Sequence, residues 1–171
     1  MSRYPQIMGI DPSLTATGVA LPDGTTLTIR SKQRGMERLA ELRSIILGLA
    51  AGTDLVAIEG YSYGSSHGAH QLGELGGVIR LALWDAAIPY LEIAPTMRAK
   101  YATGRGNAAK GLVISELSAR TGRTFTDDNQ ADAYILHAMT LDHYGHPPIA
   151  VPQTHRDALK NLTFPDLEHI L

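Results

Sequence analysis

The sequence predicts an α/β domain with a mixed five-stranded sheet flanked by helices. Three observations predict it: short apolar runs that end in an acid, a hairpin signature near the start, and helical periodicity between the later runs. A meander of three strands followed by alternating helices and strands is typical of a mixed sheet with covering helices. The length of 171 residues is sufficient for one domain with a full hydrophobic core.

The strands are predicted from short apolar runs and from the residues that end them. They are Gln6–Asp11, 17–21, 25–30, 55–58 and 90–93. Pro22-Asp23-Gly24 separates the second and third runs and is a turn sequence, which predicts a hairpin. Pro12 restricts Asp11 to extended conformations, so we expect its side chain to be fixed at the end of the first strand.

The helices are predicted from apolar residues three and four positions apart. They are 35–51, about 69–87, 95–101, about 108–120, and a last helix from about 128 to a point before Gly145. Trp84, in the second helix, is expected in the core. If the first strand pairs in parallel with 55–58, Asp11 and Glu59 lie together at the carboxyl edge, where open α/β sheets bind ligands.

The composition points to a cytoplasmic protein without a membrane span. There is no Cys, which excludes disulfides, a thiolate zinc site and a cysteine nucleophile. No apolar run is long enough to cross a bilayer, and the start lacks the apolar core of a signal peptide. Residues 1–145 are predicted to form the domain. Residues 146–171, which contain Pro147, Pro148 and Pro152, are predicted to form a Pro-containing tail.

The charge is distributed unevenly along the chain. The net charge of -2 does not indicate a nucleic-acid binder, but residues 95–123 contain six basic residues and one acid. This pattern suits a protein whose acids gather in one site while its bases face a polyanion. A solvated surface explains the same stretch equally well.

Three acidic motifs place carboxylates at the ends of elements: G-I-D-P at 9–12, A-I-E-G at 57–60 and D-D-N-Q-A-D-A at 127–133. A carboxylate at the end of an apolar run costs folding free energy unless it is paired, solvated or bound to a cation. Asp11 alone is also explained by the turn that Asp-Pro commonly opens. Glu59, directly after L-V-A-I, is poorly explained by packing.

The third motif has a structural interpretation for one of its acids. Asp127 and Gln130 match a helix capping box, which accounts for Asp127. Asp128 and Asp132 are four residues apart on one helix face, where their repulsion would be relieved by a cation. Asp128 also suits the helix dipole. Hard oxygen ligands without Cys favour Mg²⁺ or Mn²⁺, and three or four carboxylates can hold two such ions about 4 Å apart for phosphoryl chemistry.

The chain resembles the RuvC-type Holliday junction resolvases of the RNase H-like nuclease superfamily, over roughly Gln6 to Tyr144. The resemblance rests on G-I-D-P-x-x-x-x-T-G at 9–18, I-E-G at 58–60, G-R-G-N-A-A-K at 104–110 and the closing Q-A-D-A. It implies an RNase H-like fold and a metal-dependent endodeoxyribonuclease. The implied substrate is branched DNA, a four-way junction resolved by paired nicks of a homodimer in recombination, repair or phage DNA processing. The compact size and the divergent third motif favour a phage-encoded member.

The resemblance also assigns site residues. It implies three metal ligands, Asp11, Glu59 and Asp132, and a cofactor of two Mg²⁺ or Mn²⁺ ions per active site. The family's fourth acid falls on Asn129, so the sequence departs from the pattern there. Asp128, one residue earlier, is the expected fourth ligand in preference to Asp127, because the capping box accounts for Asp127.

Further residues are implied in catalysis and in DNA binding. Lys110 falls where the family places a lysine that can stabilise the extra negative charge of the pentacovalent phosphate. The implied DNA contacts are Arg98, Lys100 and Arg105 to phosphates, and Tyr61 and Tyr63 by stacking. Stacking on a base is worth about 1–3 kcal/mol. The helix with Gly73, Gly76 and Gly77 corresponds to the family's dimer interface, although packing on its own sheet explains these glycines equally well.

Three other functions compete with this one. Another RNase H-like nuclease, acting on flaps, branched DNA or RNA–DNA hybrids, is poorly separated by sequence. A non-catalytic junction-binding protein would not need Asp11, Glu59 and Asp132 together. An actin-like ATPase shares the G-I-D opening, but it encloses its nucleotide between two such domains and lacks the third motif.

Overall fold

One sheet organises the chain, and a computed structural model describes it over residues 4–60 and 69–167, with side chains described from residue 73 in the second part. The strands in these residues are β1 (Ile7–Asp11), β2 (Thr17–Ala20), β3 (Thr26–Ile29), β4 (Leu55–Glu59) and β5 (Tyr90–Ile93). The helices there are α1 (Gly35–Ala50), α2 (Ala69–Asp85), α3 (Pro95–Thr103), α4 (Lys110–Thr121), α5 (Asp128–His143) and the short α6 (Gln153–Arg156). The predicted α/β class and its mixed sheet are confirmed.

The strand order brings the first two acidic motifs together. The order is β3-β2-β1-β4-β5, with β1, β2 and β3 antiparallel and with β4 parallel to both β1 and β5. Gly9 lies opposite Ala57, and Ile10 lies opposite Ile58. Asp11 and Glu59, each the last residue of its strand, therefore end at the same edge of the sheet, as predicted.

Alternation along the strands decides which face of the sheet the acids occupy. Met8, Ile10 and Ile58 belong to the buried cluster that α1 and α2 complete on one face. Ile7 and Ala57 belong to the cluster on the other face, which α3, α4 and α5 complete. Asp11 is four residues after Ile7 and Glu59 is two residues after Ala57, so each acid points to the same face as that apolar residue. Their side chains therefore lie on the face that α5 covers.

Helix α5 lies directly on the sheet because two glycines leave room for it. A Cβ atom at Gly9 would lie 2.1 Å from the carbonyl oxygen of Ala133, and one at Gly18 would lie 2.0 Å from that of Asn129. Both obstacles are backbone atoms of α5, so any side chain at these positions would push the helix away. Gly9 and Gly18 thus set the height of Asp132 above the sheet edge.

The start of α5 is anchored to β3. The Asp127 carboxylate accepts a hydrogen bond from the Gln130 backbone N–H at 2.9 Å, so the predicted N-cap is confirmed. The Gln130 side chain, however, does not reach back as a capping box requires. It bonds to the hydroxyls of Thr26 and Thr28 on β3, and Thr28 also donates to Asp127 at 2.7 Å. This acid therefore has a structural role at the helix terminus.

The segment after Gly145 packs against the same core as α5. Ile149, Ala158 and Leu167 are buried in that cluster. A buried carboxylate, Asp142, accepts a hydrogen bond from the Tyr101 hydroxyl at 3.0 Å and pairs with Arg156 at 2.9 Å. The C-terminal segment is thus joined to α3 and α5.

The outer face of α2 exposes two large apolar side chains. Trp84 is 72% exposed and Leu81 is 60% exposed, so the expectation that Trp84 lies in the core is wrong. The helix buries Leu75, Ile79 and Leu83 against the sheet instead, which turns Trp84 outward. None of the helices within residues 4–60 and 69–167 has the length and apolarity to span a lipid bilayer.

Candidate active site

Three carboxylates from three elements converge at one edge of the sheet. Asp11 ends β1, Glu59 ends β4, and Asp132 lies in the second turn of α5, which crosses above both strands. Burial raises the pKa of Asp11 well above its ordinary value, and the nearby charges of Glu59 and Asp132 raise it further. The third acid of the predicted set therefore joins the first two.

A buried guanidinium lies between two of these acids. Arg98 of α3 is 9% exposed; its Nε donates to Oε2 of Glu59, and its Nη1 donates to Oδ1 of Asp132. Arg98 is one of the residues predicted to contact DNA phosphates, and in this structure its guanidinium is turned towards two carboxylates. The side chain points into the acidic cluster because α3 leaves the same sheet edge directly after β5.

The cluster carries more negative than positive charge. Burial raises the pKa of Glu59 in spite of the opposing effect of Arg98, and burial likewise raises the pKa of Asp132 to about 6. Burial by itself would lower the pKa of Arg98, but the negative charges of Glu59, Asp132 and Asp11 together raise it. Among the described residues, no hydrogen bond or ion pair holds the Asp11 carboxylate. One buried guanidinium thus faces three carboxylates.

Lys110 and Asp128 form the rim of the site. Lys110 opens α4, is 75% exposed, and its Nζ lies 2.5 Å from Oδ2 of Asp128. That hydrogen bond is the main cause of the raised pKa of Lys110, and Asp132 and Asp11 add to it, so the ammonium group also faces the cluster. The same bond lowers the pKa of Asp128. The role of Asp128 as the fourth metal ligand stays a prediction.

The donor set fits a hard divalent cation. All three carboxylates offer the oxygen ligands that Mg²⁺ and Mn²⁺ prefer, and Asp11 is half-buried with no hydrogen bond or ion pair from the described residues. Over those residues, no three acid or histidine side chains already form a cage around a common point. Arg98 occupies the space between Glu59 and Asp132 instead.

Other predicted DNA contacts lie near this edge or outside the described part of the chain. Lys100 is partly exposed on α3, and Arg105 is exposed in the loop that leads to Lys110. That loop begins at Gly104, which ends α3 in the left-handed conformation with φ +79°. Tyr61 and Tyr63 lie outside the described residues.

Comparison with known proteins identifies the family. The chain is 36% identical over 121 residues to the crossover junction endodeoxyribonuclease RuvC of Rhodopirellula baltica, a match that covers 63% of this chain and 68% of that protein. It is 27% identical over 146 residues to the RuvC of Salinibacter ruber, covering 76% and 81%. No protein-family profile matches the chain.

This chain belongs to the RuvC family.

The fold comparison agrees with this assignment. The structure of T. thermophilus RuvC in complex with a Holliday junction substrate aligns with a TM-score of 0.65 at 21% identity, covering 84% of this chain and 98% of that one. A second Thermus thermophilus RuvC structure aligns with a TM-score of 0.63 over 84% and 99%. The expected RNase H-like fold is confirmed.

The place of Arg98 within this RuvC site was missed by sequence reasoning. A signal for it was present: Arg98 stands three and four residues before Tyr101 and Ala102, on the buried face of α3. A charged residue on a buried helix face requires a partner. The sequence alone does not say that this partner is the acidic cluster.

Proposed function

We propose that this chain is a divalent-cation-dependent endonuclease that resolves Holliday junctions by paired nicks, in recombination and repair or in phage DNA processing. The observation that carries the proposal is the convergence of Asp11, Glu59 and Asp132 at one sheet edge in a chain of the RuvC family. We expect the enzyme to act in the cytoplasm.

The cofactor follows from the donor set. Asp11, Glu59 and Asp132 would hold Mg²⁺ or Mn²⁺, with Asp128 as a fourth ligand and two ions per active site. When bound, divalent cations lower the pKa of a water molecule and offset the negative charge at phosphate. The excess negative charge of the cluster supports this assignment, because carboxylates that lose contact with water are costly unless a counter-charge offsets them.

The remaining chemistry belongs to the side chains around the cluster. Lys110 is exposed at the rim and would place its ammonium beside the phosphate, where negative charge grows during the reaction. Lys100 and Arg105 would contact backbone phosphates, and their contribution should weaken as the salt concentration rises. Tyr61 and Tyr63 are proposed to stack on bases at the junction.

A homodimer would supply the two active sites that paired nicks require. The exposed apolar face of α2, with Leu81 and Trp84, is the surface we assign to it. Gly77 on that helix has open space around it, which permits close approach of a second helix. Residues 1–145 are proposed as the nuclease domain, with residues 146–171 as a tail that supports α3 and α5.

Cleavage of a synthetic four-way junction tests the proposed function. Asp11→Asn, Glu59→Gln and Asp132→Asn should each abolish Mg²⁺- or Mn²⁺-dependent nicking while junction binding in a gel-shift assay is retained. Glu37→Gln, an exposed acid on α1, is the matched control and should cut as the wild type does. Undiminished nicking by any of the three variants would remove that acid from the site.

The substrate class is tested by the same assay. A junction, a flap and an RNA–DNA hybrid of matched sequence should be cut at different rates, with the junction strongly preferred and cut by symmetric nicks. Equal or faster cleavage of the flap or the hybrid would assign the chain to another nuclease activity of the same fold. Binding without any cation-dependent cutting would make it a junction-binding protein.

A further inference from the structure

Arg98 occupies a position that a metal-binding cluster does not by itself require. Its guanidinium is buried and divides its donors between Glu59, on β4, and Asp132, on α5. Asp11 also faces it, as the mutual effects of the two groups on pKa indicate, and Lys110 acts on the same acids from the rim. One side chain thus connects two of the carboxylates that are proposed to hold the cation.

The planar fork of arginine suits this place better than a point charge would. A guanidinium presents donors in fixed directions and remains charged when buried, so it can satisfy two carboxylates at once. Removing one partner of a buried ion pair leaves an uncompensated charge and is strongly destabilising. Without Arg98, the carboxylates of Glu59 and Asp132 would have to be neutralised by protons or by another cation.

The helix that carries Arg98 is held in place from its other side. The Tyr101 hydroxyl, one turn further along α3, donates to Asp142, and the Tyr101 carbonyl oxygen lies 3.0 Å from Nδ1 of His155. These contacts join α3 to α5 and to the C-terminal segment. A rearrangement at the acids therefore requires the Arg98 side chain to move, and not the helix.

We propose that Arg98 is a built-in counter-cation that holds Glu59 and Asp132 together and competes with the divalent cation for them. The inference rests on the proposed function, since it concerns the same acids. Arg98 is a positioning residue in this account: it keeps the cluster assembled before the cation binds and withdraws from at least one carboxylate when it does. The price of this arrangement is a weaker affinity for the cation.

The affinity for Mn²⁺, measured by electron paramagnetic resonance, tests the competition. Arg98→Gln should bind Mn²⁺ at least about ten-fold more tightly than the wild type, because no ion pair then has to be broken before the cation binds. Lys110→Gln is the matched control for the loss of one positive charge, since it releases Asp128 at the rim but neither Glu59 nor Asp132. An affinity of Arg98→Gln no higher than that of the wild type or of Lys110→Gln would overturn the proposal.

Thermal unfolding supplies a second readout. In EDTA, Arg98→Gln should melt well below the wild type, and saturating Mn²⁺ should recover most of the loss. Arg98→Lys keeps the positive charge but lacks the planar guanidinium, so its melting temperature in EDTA should lie between those of the wild type and Arg98→Gln. A melting temperature of Arg98→Gln in EDTA equal to that of the wild type would contradict the role of Arg98 in holding the acids.

A measurement on the wild-type protein covers the case in which Arg98→Gln does not fold. The Nε–H of Arg98, bonded to Glu59, and its Nη1–H, bonded to Asp132, should both give protected signals in ¹H–¹⁵N spectra in EDTA, and at least one of them should lose its protection as Mg²⁺ is added. Both signals unchanged at saturating Mg²⁺ would overturn the competition. None of these readouts uses DNA cleavage, so a chain that binds the cation but cuts no junction would refute the proposed function alone.

Discussion

At the scale of single residues, the acidic cluster is a balance between burial and ion pairing. Asp132 has a pKa raised to about 6, chiefly by burial, in spite of the opposing charge of Arg98. Burial and the charges of Glu59 and Asp132 raise the pKa of Asp11 well above its ordinary value, and no described residue holds its carboxylate by a hydrogen bond or ion pair. Ionising the whole cluster at neutral pH therefore costs free energy, which a bound cation would recover.

This balance predicts opposite effects of pH on cation affinity and on stability. Mn²⁺ affinity should fall as the pH drops through about 6, because protonated Asp132 cannot serve as a ligand. Stability in EDTA should change in the opposite direction. The pKa of Asp132 is higher in the folded protein than in the unfolded chain, so the folded state binds more protons. Protonated Asp132 therefore favours folding at pH 5, and this contribution is lost as the pH rises through about 6.

Titrating Mn²⁺ at several pH values and melting the protein in EDTA over the same range measure both trends. Asp132→Asn is the control, since it should reduce the pH dependence of the melting temperature. A Mn²⁺ affinity that stays constant from pH 7.5 to pH 5 would contradict the raised pKa.

At the scale of elements, the close contact between α5 and the sheet brings the third acid to the other two. Replacing Gly18 with Ala places a Cβ atom 2.0 Å from the Asn129 carbonyl oxygen, so α5 has to shift. We expect Gly18→Ala to lose about 1–3 kcal/mol of stability, as overpacked sites do, and to weaken Mn²⁺ binding because Asp132 moves with the helix.

Gly48→Ala is the matched control for this substitution. Gly48 lies within α1 with open space around it, so alanine there should raise stability by about 0.5–1 kcal/mol through helix propensity. Chemical denaturation measures both changes. Wild-type stability and wild-type Mn²⁺ affinity in Gly18→Ala would show that α5 does not need the glycine.

The sequence predicted the positions of the strands and helices well. It predicted less well which side chains of a helix are buried and which are exposed. Strand ends, turn residues and helical periodicity are local signals, and they located β1, β4 and α5 and hence the sheet edge shared by Asp11 and Glu59. The partners of Arg98 come from β4 and α5, 39 and 34 residues away in the chain, and no local period reports such a pairing. Trp84 was misplaced because apolar character does not say whether the sheet or another surface covers a side chain.

At the scale of the whole molecule, paired nicking requires two sites in one assembly. Trp84 and Leu81 expose two large apolar side chains side by side on α2. Large aromatic residues are frequent anchors of interfaces, and losing one costs about 2–4 kcal/mol of association free energy. A substitution on this face of α2 should therefore reduce paired nicking more than single nicking.

Trp84→Glu should shift the protein towards monomer in sedimentation experiments and reduce paired nicks more than single nicks. Met36→Glu, an equally exposed apolar site on α1, should leave the assembly unchanged. A strictly monomeric wild type, or a Trp84→Glu variant that associates as tightly as the wild type, would contradict the assignment of α2.

Locating the bound cation tests the proposal that Asp11, Glu59 and Asp132 form a cation site. Crystals soaked in Mn²⁺ should show anomalous scattering peaks among the carboxylates of Asp11, Glu59 and Asp132, with the Arg98 guanidinium withdrawn from at least one of the latter two. Peaks elsewhere on the protein, or no peak at this edge of the sheet at Mn²⁺ concentrations that support cleavage, would contradict it.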